Sequence, residues 1–279
     1  MGANKVKKRI FSFANFLLML AVTLMYMAPF YIAIVFSLKT NQQIAKNPLG
    51  FPTEFHFENY VRAIEVSNFF HSFRNSFLVT VPGVIIVIVV SAPAAYVLAR
   101  NSNWLYNAFY YLFLASIMVP FQVVMFPLYK NFFNWGLVGS LPGLVFALSG
   151  FQIGFNVFLF TGFVKSVPRE MEESATIDGC GQYRAFWNII FPIMKPVNMT
   201  VGVLTSLAFW NDFMLSMIFV NNEKVRTLPL VQYFFIGQYN VELPMGFAAV
   251  IMMLIPVLIL YILSQKYIVS GVTSGALKG

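Results

Sequence analysis

The sequence predicts an all-α polytopic membrane protein, and three observations carry that expectation. Hydrophobic residues make up 59% of the 279 positions and charged residues only 10%, with a mean hydropathy of +0.74. That much apolar surface does not fit inside one soluble core. Apolar runs long enough to cross a hydrocarbon layer of about 30 Å recur along the chain. Between the fourth and fifth runs lies a polar island, 165–196, unlike anything around it.

The first run, about 10–38, follows Lys5, Lys7, Lys8 and Arg9. It is far longer than the roughly 7–15 apolar residues of a signal peptide, so it reads as a retained span. The polar segment 39–75 follows, where His56 and His71 lack a convincing catalytic partner and read as solvated loop positions. The remaining runs lie at about 76–98, 107–129, 141–164, 197–220 and 244–268. Pro82, Pro93, Pro120, Pro127 and Pro256 fall inside them, each deleting one backbone donor and bending its helix. With no internal repeat, low-complexity stretch or soluble domain, residues 1–279 read as a single transmembrane domain.

Six spans place both termini on one side, and basic residues choose the side. Most of the 18 Lys and Arg residues, Arg100, Lys165, Arg169, Arg184 and Lys195 among them, fall on the segments shared with the N-terminus. This predicts cytoplasmic termini and a cytoplasmic island. The net charge of +8 is scattered among span ends rather than gathered in a stripe, which suits anchoring in membrane lipid and not nucleic-acid binding. A single cysteine, Cys180, excludes an internal disulfide.

The island is legible from local chemistry. Pro168 suits a first helical turn, and Glu170, Glu172 and Glu173 crowd the N-terminal end, where the helix dipole favours negative charge. Gly179 fits a C-terminal stop in the left-handed conformation. Tyr183, Phe186, Trp187 and Ile190 then recur at helical spacing, which predicts an amphipathic second helix closed by Pro192 and Pro196. Two short helices joined by a glycine make a rigid plug. Three carboxylates disfavour an anionic leaflet as its resting place, so a protein partner fits better.

Glu173, Ser174, Ala175, Gly179, Ile189, Phe191 and Pro192 also resemble the E-A-A, x3, G, x9, I-x-L-P pattern of permease subunits in ATP-binding-cassette importers, with Ser174 and Phe191 as the two departures. The likeness extends to the carbohydrate, maltose-type branch through Phe209-Trp210-Asn211-Asp212-Phe213, Pro127-Leu128-Tyr129 and the run from Ser270 to Gly279. Gly139-Ser140 stands where that branch commonly has Asn-Thr. The resemblance implies a type I importer transmembrane domain that pairs with a second, homologous permease, two ATPase subunits and an extracytoplasmic sugar-binding protein. It implies that the island is a coupling loop seated in a groove of the ATPase, with Glu173 and Gly179 fixing the fit and Met171, Ser174, Ala175, Ile177 and Asp178 around them. The terminal glycine-rich run is no phosphate-binding loop, since G-x-x-x-x-G-K-[ST] occurs nowhere. No cofactor is expected on this chain, and ATP and Mg²⁺ are expected on the ATPase subunits.

Polar residues inside spans are costly in hydrocarbon and mark candidate path positions: Gln122, Gln152, Asn156, Ser206, Asn211 and Asp212. Gln152 and Asn156, four apart, are expected on one face. The segment 221–242 is too polar to span, yet Tyr233, Phe234 and Tyr239 lie in it with Gly237 and Gln238. The resemblance implies an outer loop that enters the binding protein's cleft and helps release the sugar. Two other classes remain open on residues alone. An ion-coupled secondary transporter wants titratable relays, where this chain has one acid in a span, and a membrane-embedded enzyme acting on lipid-linked sugars wants a carboxylate or histidine cluster.

Overall fold

A computed structural model describes residues 2–177, 179–220, 222–237 and 242–276. Every regular element among them is helical: α1 (Gly2–Ser37), α2 (Asn41–Lys46), α3 (Glu58–Ser67), α4 (Phe69–Arg100), α5 (Trp104–Met118), α6 (Phe121–Asn134), α7 (Leu141–Ser166), α8 (Glu170–Ile177), α9 (Gln182–Ala185), a π-turn (Phe186–Ile190), α10 (Phe191–Ile193), α11 (Lys195–Trp210), α12 (Met214–Phe219), a short 3₁₀ turn (Glu223–Val225), α13 (Leu228–Gly237) and α14 (Leu243–Ala276). They form two compact units, 1–67 with 232–254 and 68–231 with 255–279.

Among the described residues, four stretches are each long and apolar enough to cross a membrane: Phe13–Ser37, Phe69–Arg100, Leu141–Ser166 and Leu243–Gln265. Two bent pairs raise the number to 6 if each counts as one span. The expected third span, 107–129, is one of them. Pro120 has no N–H to donate, and its ring disfavours helical geometry at the residue before it. Val119 is accordingly extended (φ −76°, ψ 116°), and the axes of α5 and α6 meet at 101°. The other pair is Gln182–Ile193 with α11, bent by 75°.

The expected fifth span, 197–220, also differs, because its helix stops at Trp210 and restarts as α12. The Asp212 carboxylate accepts from the Ser216 N–H at 2.9 Å, the Ser216 hydroxyl at 3.0 Å and the Leu215 N–H at 3.4 Å. The acid that stood out in a span is therefore a cap for the next helix. Pro82 and Pro93, by contrast, lie within an uninterrupted α4, Pro127 within α6 and Pro256 within α14.

In the first unit, α1 carries exposed apolar side chains from Phe13 to Phe30, and the chain beyond it folds around one cation. Lys39 is 2% exposed, and its Nζ donates to the carbonyls of Asn47 at 2.7 Å, Pro48 at 3.2 Å and Gly50 at 2.6 Å. Three N–H groups thus meet three acceptors. The loop is pinned further by Tyr31, whose hydroxyl donates to the Leu49 carbonyl at 2.7 Å, and by Asn59, whose amide reaches the Ser37 and Lys39 carbonyls, both at 2.9 Å. A reciprocal Thr40–Gln43 capping box starts α2. His56 pairs with Glu58 at 2.5 Å, so it is a partnered surface residue.

In the second unit, α4, α7 and α11 pack together. One apolar cluster joins Ala92 and Ala95 of α4, Val157, Phe160 and Val164 of α7, Phe186 and Ile190 of the π-turn, and Val197 and Val201 of α11. A second joins Val79 and Val87 to Phe132, Leu144, Leu148, Phe209 and Phe219. Helix α5 approaches α7 at Gly154, where a Cβ would lie 2.3 Å from Ser116 Oγ and 2.9 Å from the Phe113 carbonyl. Only glycine permits that approach, a device common between membrane helices.

Lys39→Met would leave three carbonyls without their donor, two of them on the exposed residues Asn47 and Pro48 where water can replace it, so the loss is on the order of 1–3 kcal/mol in total. The variant is expected to melt lower than the parent chain and to be cut by protease within 47–50 under conditions where the parent resists. Equal melting and equal resistance would mean that the Lys39 contacts carry no stability.

Candidate functional site

The island begins where α7 ends at Ser166. After Pro168, the Arg169 carbonyl receives the N–H groups of Glu172 at 2.9 Å and Glu173 at 3.0 Å, starting α8 with three acids in its first turn. The helix is closed by two backbone bonds, Gly179 N–H to the Thr176 carbonyl at 3.0 Å and Cys180 N–H to the Ala175 carbonyl at 2.9 Å. These are the paired bonds of a Schellman motif. Gly179 has φ +80°, the left-handed conformation that glycine adopts without a Cβ clash. Asp178 lies outside the described residues.

The second helix of the island runs through α9, the π-turn and α10. Its buried side is formed by Ala185, Phe186 and Ile190, with Trp187 stacked edge-on against Phe186 at 4.9 Å. Tyr183, expected on this apolar side, is instead 79% exposed, because the buried stripe is centred on Ala185 and Phe186 and Tyr183 falls off its edge.

Helix α8 sorts its residues cleanly. Ile177 is 86% exposed, and Met171, Glu173, Ser174 and Gly179 are exposed as well. Ala175, one of the residues expected around Glu173 and Gly179 at the partner contact, is turned away from Ile177 and is only 6% exposed. Its small side chain fits α8 against its own chain. Glu172, three residues before Ala175, shares that inner side and was missed as a site residue. It pairs with Arg100, the last residue of α4, and accepts from the Tyr96 hydroxyl at 2.9 Å. No local pattern marks it, since Arg100 lies 72 residues away in the chain.

The candidate path residues scatter. Asn156 is fully buried, and its amide donates to the Gln152 carbonyl at 2.8 Å and to Thr205 Oγ1 at 3.2 Å, tying α7 to α11. Gln152 is half-buried, so the two expected on one face differ in surroundings. Ser206 donates to the Gly202 carbonyl at 2.6 Å and lines a mainly apolar cavity of about 500 Å³ with Phe77, Thr80 and Trp210. Gln122 is exposed in the first turn of α6, and Asn211 is exposed at the end of α11, donating to the Leu207 carbonyl at 3.0 Å. Asp212 caps α12 as described.

The segment 221–242 contains the 3₁₀ turn and α13, with Thr227 to Val231 buried. Its base is held by α4. The His71 ring lies 2.7 Å from the Lys224 carbonyl, the Asn75 amide donates to the Lys224 and Arg226 carbonyls, both at 2.9 Å, and the Leu228 N–H donates to Ser76 Oγ at 2.9 Å. His71 is thus no solvated loop residue, since it sits in the first turn of α4 with a backbone partner. Tyr233 is half exposed, and Phe234 and Gly237 fall within α13. Gln238 and Tyr239 lie outside the described residues.

With this geometry in place, likeness to known proteins is informative. Residues 88–274 match the family described as binding-protein-dependent transport system inner membrane component. The chain is 34% identical over 273 residues, 98% of each chain, to a probable starch degradation products transport system permease protein of Thermoanaerobacterium thermosulfurigenes. It is 33% identical to a multiple sugar-binding transport system permease protein of Streptococcus mutans, across 98% of this chain and 100% of the relative. A melibiose/raffinose/stachyose import permease protein of Bacillus subtilis is 32% identical over 94% of this chain and 95% of its own. In fold, the chain resembles a solved bacterial ABC transporter involved in the import of the acidic polysaccharide alginate, with a TM-score of 0.84, 23% identity, and coverage of 94% and 97% of the two chains. The matched stretch contains the whole of the island and the greater part of the chain, and on that ground this protein belongs to the family of inner membrane components of binding-protein-dependent transport systems.

Proposed function

We propose that this chain is the permease subunit of an ATP-driven importer that takes up a sugar or oligosaccharide delivered by an extracytoplasmic binding protein, with the island 165–196 as its coupling element. One observation supports the coupling role most directly: a rigidly closed helix pair carries exposed Ile177, Met171 and Tyr183 beside exposed carboxylates. Apolar side chains left open on a polar island mark a contact surface. Seating Ile177 in a groove would contribute about 1.5–3 kcal/mol.

The remaining assembly follows the same reading. A second permease packs against α1, whose apolar sides are open from Phe13 to Phe30. Two ATPase subunits bind ATP and Mg²⁺ and receive the island in the cytoplasm, and both termini share that side. Closure of the ATPase pair displaces the island and biases the spans between inward-open and outward-open arrangements, a shift set by differential contacts in the two states. A sugar as cargo is supported by relatives named for starch degradation products, multiple sugars and raffinose-type oligosaccharides. Gln122, Gln152, Ser206 and Asn211 are the path positions that remain open for such contacts, while Asn156 and Asp212 are engaged in helix packing and capping. The segment 221–242, anchored at its base by α4, serves as the release loop. Ion coupling is disfavoured because Asp212 is committed to Ser216 and Leu215.

Gly179→Val or Glu173→Lys should leave membrane insertion intact and abolish the ATP hydrolysis that loaded binding protein stimulates in the assembled complex. Wild-type stimulation and uptake in both variants would sink the coupling role. For topology, cysteines placed at Asn47 and Asn222 should react with an impermeant maleimide in intact cells while Cys180 stays protected, and the reverse pattern would put the island on the wrong side for an ATPase. Replacing residues 237–240 by four alanines should slow uptake several-fold at saturating binding protein while sparing basal hydrolysis. Unchanged uptake would remove the release role.

A further inference from the structure

Helix α8 is joined to α4 by a contact of a different kind from the apolar packing beneath the rest of the island. Arg100 Nε donates to Glu172 Oε1 at 2.7 Å, and its Nη2 donates to the Val167 carbonyl at 3.0 Å. Tyr96 Oη donates to the other carboxylate oxygen at 2.9 Å. Arg169 Nη2 returns to the Arg100 carbonyl at 3.2 Å. The ion pair is shielded, with side-chain exposures of 12% for Arg100 and 16% for Glu172, and the Tyr96 ring sits 5.1 Å from Phe186 of the π-turn.

Apolar side chains such as Phe186 and Ile190 slide over one another at small cost, because dispersion contacts have little directionality. Charge-assisted hydrogen bonds have a fixed length and direction, and shielding protects them from screening by salt. A displacement of α8 therefore reaches α4 through Glu172 more faithfully than through the packing around it. The helix it reaches is continuous from Phe69 to Arg100. At about 1.5 Å per residue, Asn75 lies roughly 37 Å along it from Arg100, and Asn75 and His71 hold the Lys224 carbonyl at that far end.

We propose that Glu172, Arg100 and Tyr96 form the joint that delivers movement of the coupling helix to α4, and through α4 to the base of the segment 221–242. These are positioning residues, and their assignment rests on the reading of the island as the ATPase-coupling element.

The test uses the assembled complex in a Cys180→Ser background, with a reporter cysteine from Thr80→Cys on α4. Its rate of maleimide modification is compared without nucleotide and after trapping with ATP, Mg²⁺ and orthovanadate. Trapping is expected to change that rate at least fivefold in the parent complex. Arg100→Met and Glu172→Gln should each reduce the change to less than twofold while the ATPase subunit still co-purifies, and the double variant should be no worse than either single one. Tyr96→Phe, which keeps the ring and loses one hydrogen bond, should fall between. The joint is overturned if trapping does not alter the parent rate, if the single variants respond like the parent, or if their effects multiply in the double variant. Gly179→Val separates the two readings. Loss of the trapping response in Gly179→Val, with a parental response in Arg100→Met, removes the joint alone, whereas a parental response in Gly179→Val removes the coupling role of the island.

Discussion

The constraint that organises this chain is that hydrocarbon offers no hydrogen bonds to a peptide group. Each interruption of a helix must then be provided for by the chain itself, and the described breaks follow that rule. At 119–120 a proline removes one donor and turns the next helix away by 101°. At 211–213 the Asp212 carboxylate takes up the N–H groups that the start of α12 leaves over. At Gly154 the opposite demand applies, since α7 continues unbroken and gives up a side chain so that α5 can come close. Irregular backbone in this protein is thus specific and local, and it sets where the rigid stretches begin and end.

The longest rigid stretch in the second unit is α4, and it matters because of what its two ends hold. At one end Arg100 and Tyr96 grip α8, and at the other His71, Asn75 and Ser76 grip the chain from Lys224 to Leu228. Its 32 residues span about 48 Å, more than a hydrocarbon layer of about 30 Å. Pro82 and Pro93 do not interrupt it.

Much of this was readable in the residues, and the boundary of legibility is physical. Composition and run length announce a helical membrane protein. The island is written in short-range signals, Pro168, three glutamates and Gly179, and all of them act within a turn or two of themselves. Five span prolines carried the same expectation of a bend, yet Pro120 breaks its run while Pro82, Pro93, Pro127 and Pro256 lie within continuous helices, because the missing N–H is the same at each and its outcome depends on what surrounds it. Tyr183 misled because a stripe judged by bulky side chains overlooks Ala185, the small residue at its centre. The tertiary partners of Asn156 and Glu172 were beyond reach for a different reason: Thr205 and Arg100 are distant in sequence, and no local pattern encodes a tertiary hydrogen bond. His71 failed in the same way, reading as solvated while its partner lay at Lys224.

Gly179 has one more consequence. A Cβ built there meets nothing within 4 Å, so the chain's own objection to a larger residue is conformational and worth only about 1–2 kcal/mol in the left-handed region. Asparagine, which tolerates that region, would face almost none of it. Space at this position is therefore not rationed by the protein that owns the glycine. An alanine at residue 179 thus measures the torsional cost alone within this chain, and on the proposed reading of the island any further loss in the assembled complex would register the surface that receives it.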